Sequence, residues 1–175
     1  MEMAPPGSDH RKIDYLFFGY FFMQIPSTIL FDSQGLLPEY FYPGFLRSLR
    51  QHYLESYRDP FLANPWGHPW YLSICLLEHS IELPFFFWAA YCYYYGAMKK
   101  PAVVLPSILY GVHTVTAVLA IWCTALAADF SAYADPAPRS PVERLKLCSA
   151  YAPFFFIPLC NIYDSCTLAL KEKQS

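Results

Sequence analysis

Residues Trp70 to Tyr95 read WYLSICLLEHSIELPFFFWAAYCYYY. The run holds no Lys or Arg and exceeds the ~20 residues that a helix needs to cross a bilayer. Yet Glu78 and Glu82 lie well inside it. A carboxylate at the centre of a spanning helix costs roughly 2.5–3.5 kcal/mol on insertion scales, so such residues face a protein-lined cavity and find a partner there. Their spacing of four puts both on one helix face, with Cys75 and His79 flanking it. Pro84 removes the backbone bond to the carbonyl of Ser80 and leaves a polar group near Glu82 for a neighbour, water or ligand. The stretch reads as a membrane helix built around a cavity.

Three further apolar runs, Ile13–Phe31, Ala102–Ala128 and Leu147–Leu170, are of similar length. With 55% hydrophobic residues, 15% charged residues and a net charge of -2, the chain reads as an all-α membrane protein. The expected fold is a bundle of four transmembrane helices forming one domain over residues 10–170. A disordered tail is expected over residues 1–9, which contain Pro5, Pro6 and Gly7, and a cytosolic tail over 171–175. The first run follows Arg11 and Lys12, as the apolar part of a signal peptide follows its basic end, but it contains Gln24, Pro26 and Thr28 and ends in Phe31-Asp32, so it reads as a retained helix.

Basic residues at His10-Arg11-Lys12, Lys99-Lys100, Lys171 and Lys173 place both termini in the cytosol by the positive-inside rule. Lys171 and Lys173 also match the dilysine pattern of endoplasmic-reticulum retrieval, although a basic tail beside anionic headgroups reads the same way. No basic stripe points to nucleic acid. The six cysteines fall in or at the edges of apolar helices without a CxxC pair, so they read as buried thiols; no metal or cofactor is expected.

The loop Asp32–Pro69 is long enough to hold structure. Phe45, Leu46, Leu49, Tyr53 and Tyr57 recur at helical spacing opposite Arg47, Arg50, Gln51 and Glu55, which predicts a short amphipathic helix on the lumenal side. Asp32 closes the first run. If that helix packs against the second, Asp32 and Glu78 meet near the lumenal third of the bilayer. Two carboxylates in a low dielectric cannot both ionise cheaply, so one holds a proton and the pair carries one negative charge, suited to a hydrophobic ammonium or a carbocation. The plainer alternatives are that Asp32 is a turn or cap residue and that Glu82 bridges helices. Phe85–Trp88 and Phe154–Phe156 wall a pocket or face lipid, and His113 reads as a satisfied buried histidine. Asn161 and Asp164 form a second polar cluster or sit at the cytosolic interface.

Several strings then become recognisable: Gln24-Ile25-Pro26-Ser27-Thr28 leading to Phe31-Asp32-Ser33-Gln34, Arg58-Asp59-Pro60, Cys75…Glu78…Glu82-Leu83-Pro84-Phe85-Phe86, Val112-His113-Thr114, and Glu143-Arg144-Leu145 followed by Tyr151-Ala152-Pro153. In this order they resemble the sigma-2 receptor family of the EXPERA superfamily, which also includes the emopamil-binding sterol isomerase. The resemblance runs from about Tyr15 to Pro158. It implies that Asp32 and Glu78 form the carboxyl pair of a ligand pocket, that Asp59 supports the pocket from the loop, and that Tyr110 and Tyr151 line it. It further implies sterols and cationic amphiphilic amines as ligands, a homodimer, an endoplasmic-reticulum address and a part in sterol homeostasis, with a sterol-transport protein as a possible partner.

The chain departs from the receptor pattern at Gln24, where the family has a pocket histidine, at Glu82, where it has glutamine, and at Ala117 and Phe154. The isomerase's His-x-x-x-Glu pair falls on Gln24 and Thr28, and its Asn and Trp fall on Tyr151 and Phe154. Only Glu78 remains of that set. Isomerase activity is therefore not expected and no residue is assigned as catalytic; a Δ8-Δ7 sterol isomerase stays the alternative. A third reading is a non-catalytic scaffold for sterol transporters, whose carboxylates only hold the fold.

Overall fold

The computed structural model describes residues 11–134 and 136–172. The expected N-terminal tail and Lys173 lie outside them. Among the described residues every regular element is helical. The longer ones are α1 (Lys12–Leu30), α2 (Gly44–Tyr57), α3 (Pro69–Tyr95), α4 (Val104–Ala127) and α5 (Pro141–Glu172).

Three helical stretches are long and apolar enough to cross a membrane: Pro69–Tyr95, Pro101–Ala127 and Pro141–Lys171. The first expected span is also helical, over 19 residues, but it is not among the three. Asp14, Gln24, Ser27 and Thr28 dilute its apolar character, and Asp14, Gln24 and Thr28 are buried against the rest of the protein.

The decisive opening stretch is one helix with a fault in it. From Pro69 to Leu77 and again from Leu83 to Tyr95 it is α-helical, but Glu78–Glu82 forms one wider π turn, closed by Leu83 N–H on the Glu78 carbonyl. Side chains satisfy carbonyls just below the fault. Ser80 Oγ donates to Leu76 O at 2.6 Å, and His79 Nδ1 lies 2.8 Å from Cys75 O. Such turns occur mostly as single insertions in α-helices and frequently mark functional sites.

α1 packs antiparallel on α3. Phe17 meets Tyr93 with ring centroids 5.3 Å apart, Phe21 meets Phe85 at 5.4 Å, and Thr28 bonds Glu78. Phe17, Phe21, Phe85 and Tyr93, with Tyr20, Ala89 and Tyr110, form one apolar core. α4 packs antiparallel on α5. At Gly111 the helices come so close that a Cβ would lie 2.5 Å from Ile162 Cγ1, and only glycine fits there. Further along, Trp122 stacks on Phe155 at 4.8 Å and donates to Cys148 O at 2.9 Å. A second core gathers Phe61, Tyr71, Cys75, Ile121, Ala125 and Leu147 at the other end.

α5 starts earlier than its apolar run. A reciprocal cap begins it: Glu143 Oε2 accepts from Ser140 N–H at 3.0 Å, and Ser140 Oγ accepts from Glu143 N–H at 3.3 Å. One turn on, Arg144 donates to the carbonyls of Ala125, Leu126 and Ala128 and so satisfies the end of α4.

α2 covers the residues of the amphipathic pattern. Its apolar side is divided, however: Leu54 is buried and Tyr53 half-buried, whereas Phe45 and Leu49 are exposed beside Tyr40 and Phe41. At the opposite end of the molecule, Arg11 bonds Asp14 at 2.5 Å and Asp164 at 2.7 Å, which ties the start of α1 to α5. Asn161 Nδ2 donates to Tyr93 Oη at 2.7 Å, and Tyr93 Oη shares a 3.0 Å hydrogen bond with Ser107. Asn161 and Asp164 thus each sit in a polar group, Asn161 with Tyr93 and Ser107 and Asp164 with Arg11 and Asp14.

Candidate ligand-binding cavity

A cavity of about 230 Å³ opens beside the wide turn of α3. α1 and the residues after it contribute Gln24, Ser27, Phe31 and Asp32; α3 contributes Tyr71, Ile74, Cys75, Glu78 and Glu82. Tyr110, Thr114, Ala117, Val118 and Ile121 come from α4, Ala150, Tyr151 and Phe154 from α5, and Tyr53 and Leu62 from the α1–α3 connection. Three carboxylates thus face one mostly apolar space. Among the described residues no Lys or Arg lines it.

Each acid is held differently. Glu78 accepts a hydrogen bond from Thr28 Oγ1 at 2.8 Å, which fixes it across the α1–α3 seam. Asp32 opens a short 3₁₀ turn, Asp32–Gly35, after α1, and it accepts no hydrogen bond among the described residues. It keeps some exposed surface because it faces the cavity. Burial among protein atoms, with the negative charges of Glu78 and Asp59 added, pushes its pKa well above the usual carboxylate range. Asp32 and Glu78 share the cavity without a direct hydrogen bond between them.

Glu82 is 8% exposed. Its Oε1 lies 3.7 Å from His113 Nε2, within ion-pair reach but beyond hydrogen-bond length, and both atoms are sealed from solvent without a hydrogen-bond partner. His113 is thus not the satisfied core histidine that its apolar surroundings predict.

Asp59 does not line the cavity; it stands behind it, fully buried. The local sequence explains its place. Arg58 ends α2 in the left-handed region at φ 55°, and its N–H returns to Leu54 O. Asp59 then caps the single helical turn Pro60–Ala63, with proline at the first helical position. Its carboxylate accepts from Phe61 N–H at 3.0 Å, Leu62 N–H at 3.1 Å, Tyr151 Oη–H at 2.6 Å and Tyr53 Oη–H at 3.3 Å. Burial pushes its pKa up, and these hydrogen bonds pull the other way. Because Tyr53 and Tyr151 both line the cavity, Asp59 sets two of its wall positions.

Of the remaining expected residues, Gln24 and Tyr110 line the cavity and Tyr110 shares a 2.7 Å hydrogen bond with Tyr20. From the aromatic runs only Phe154 reaches it. Lys171 is exposed at the end of α5. Thr28, Tyr53 and Tyr71 join the site beyond the residues expected of it. The four-residue spacing of Gln24 and Thr28 was the available signal for Thr28. All six cysteines are free thiols, Cys75 and Cys92 buried, and the described residues hold no cluster able to bind a metal.

The profile described as EXPERA (EXPanded EBP superfamily) matches residues 45–165, well over half of the chain. The protein belongs to the EXPERA superfamily. Within it, the chain is 38% identical over 149 residues to the Sigma intracellular receptor 2 of Xenopus tropicalis, covering 85% of each chain. It is 36% identical over 159 residues to the protein of the same name in Homo sapiens, covering 89% of this chain and 88% of that one. The Macaca fascicularis protein of that name is 36% identical over 151 residues. All the cavity carboxylates except Asp32 fall inside the EXPERA match, as does Asp59.

Proposed function

We propose that this EXPERA protein is a sigma-2-receptor-like binder of sterols and cationic amphiphilic amines, with Asp32 and Glu78 receiving the ligand ammonium. The observation that carries this reading is a mostly apolar cavity lined, among the described residues, by three carboxylates and no Lys or Arg. A hydrophobic ammonium supplies the missing charge, and Tyr and Phe rings add cation–π contact. Asp59 orients Tyr53 and Tyr151 around the ligand.

The same reading has four membrane crossings. It is supported by the antiparallel packing of α1 along α3 from Tyr93 down to Glu78 and by the Arg11–Asp164 tie, which holds the start of α1 beside the last turns of α5. An even number of crossings follows if both ends lie on one side. With the basic flanks that side is the cytosol, α2 lies on the lumenal side, and the address is the endoplasmic reticulum. A homodimer, a sterol-transport partner and a role in sterol homeostasis complete the proposal.

The test is binding of a cationic amphiphile to purified protein in detergent. Asp32→Asn is expected to weaken it about a hundredfold, the upper range for loss of a charge-assisted hydrogen bond, with folding intact. Retained affinity in a folded variant would remove Asp32 from the site. Incubation with a Δ8-sterol is expected to leave it unchanged, and time-dependent conversion to the Δ7 isomer would overturn the non-catalytic reading.

A further inference from the structure

The wide turn brings a third acid to the cavity, and that acid has its own partner. Glu82 lies about one turn from Glu78, ~6 Å along the axis for four residues, on the same helix face. It is more than nine-tenths buried, lines the cavity and accepts no hydrogen bond among the described residues. His113 of α4 faces Oε1 from 3.7 Å. The other oxygen is left without a protein donor. The ionisable side chains around this end are Glu78 and His79 on α3, Tyr20 on α1, and Tyr110 and His113 on α4, and the two tyrosine hydroxyls are bonded to each other. Oε1 is the oxygen sealed from solvent, so the other one is the oxygen a ligand in the cavity can reach, and a hydrogen bond to a charged group is worth more there than one to a neutral group.

We propose that Glu82, positioned by His113, is a second acceptor in the cavity that selects amphiphiles carrying two hydrogen-bond donors, an ammonium at Asp32–Glu78 and a hydroxyl or second amine about one helical turn away. This inference rests on the amine-binding reading above. A hydroxyl and an amine present the same donor chemistry to a carboxylate, and only the amine adds charge. His113 acts through Glu82 and does not touch the ligand.

The experiment compares three probes on the protein in detergent: an aryl-alkyl piperidine, its analogue with a hydroxyl about five bonds from nitrogen, which spans one helical turn when extended, and its analogue with a second amine at that place. The readout is the affinity ratio of each two-donor analogue to the parent amine, taken within each variant. In the native protein the ratio is expected to reach about tenfold for one or both analogues, the gain of one hydrogen bond to a charged group. The analogue that gains identifies the donor. In Glu82→Leu/His113→Leu, which removes both buried polar groups together and leaves no orphan, the ratio is expected to fall to about one. His113→Leu alone lowers the ratio, and His113→Gln, whose amide keeps a polar N–H group facing Oε1, restores much of it. If the double variant fails to fold, Glu82→Gln takes its place, with loss of the diamine advantage expected. A ratio near one in the native protein, or a ratio that survives these substitutions, overturns the inference while parent binding leaves the underlying reading intact. Absence of parent binding to the native protein overturns both.

Discussion

Arg11, Asp14 and Asp164 at one end of the bundle, and Asp32, Glu78 and Glu82 in its cavity, are two charged trios built in opposite ways. In the first, a guanidinium bridges two carboxylates at 2.5 and 2.7 Å, and Asp14 is completely buried. In the second, three acids share a cavity with no Lys or Arg; Thr28 serves Glu78, and Asp32 accepts no hydrogen bond among the described residues. Burial is common to both trios. What separates them is partnership, and an acid left without a protein partner is the one available to a ligand.

This contrast is open to direct attack. Arg11→Met strands Asp14 as an unpaired buried acid, and thermal unfolding in detergent is expected to show a loss of about 3–4 kcal/mol. A loss under 1 kcal/mol would mean that the end cluster is not a structural tie. Asp59→Ala deprives two backbone N–H groups and two tyrosine hydroxyls of their acceptor, with an expected loss of about 2–3 kcal/mol and weaker amine binding as Tyr53 and Tyr151 swing free. Intact binding in that variant would show that the wall tyrosines hold their places without it.

Asp32→Asn is expected to be neutral or stabilising by about 1 kcal/mol at pH 8. The sign follows from its raised pKa. The folded state holds the Asp32 proton more tightly than the unfolded chain, so its contribution is full below the ordinary carboxylate range and is lost as pH rises through the folded value. The benefit of Asn should accordingly vanish at low pH. Last, a quaternary ammonium amphiphile keeps its charge at every pH. Its affinity is expected to rise with pH by at most about tenfold per unit until Asp32 is ionised, because only the ionised acid pairs with it. A flat profile in equilibrium binding would place the ligand charge elsewhere.

Much of this was legible before any coordinates. The apolar run Trp70–Tyr95 announced a spanning helix, and the spacing of Glu78 and Glu82 announced a shared face. The apolar run Ile13–Phe31 announced the helix α1, but not that it hides Asp14, Gln24 and Thr28 against its partners. The wide turn was not legible. Pro84 signals a missing backbone bond, but which turn widens depends on the packing of α1 against the upper part of α3. Asp59 entered only through resemblance, although Arg58-Asp59-Pro60 carries a local signal, a capping acid before proline. Thr28–Glu78 and Glu82–His113 join different helices, and no periodicity within one helix foretells such pairs.

The wide turn has a mechanical consequence. It gives α3 one residue more than an uninterrupted helix of that height, so deleting one residue, such as Ile81, would let the helix heal and rotate everything on one side of the joint by about 100° relative to the other. The two faces that engage α1 and the lower core are therefore in phase only because of this joint. The cavity-facing acids Glu78 and Glu82 sit on it, in a kind of turn where helices kink.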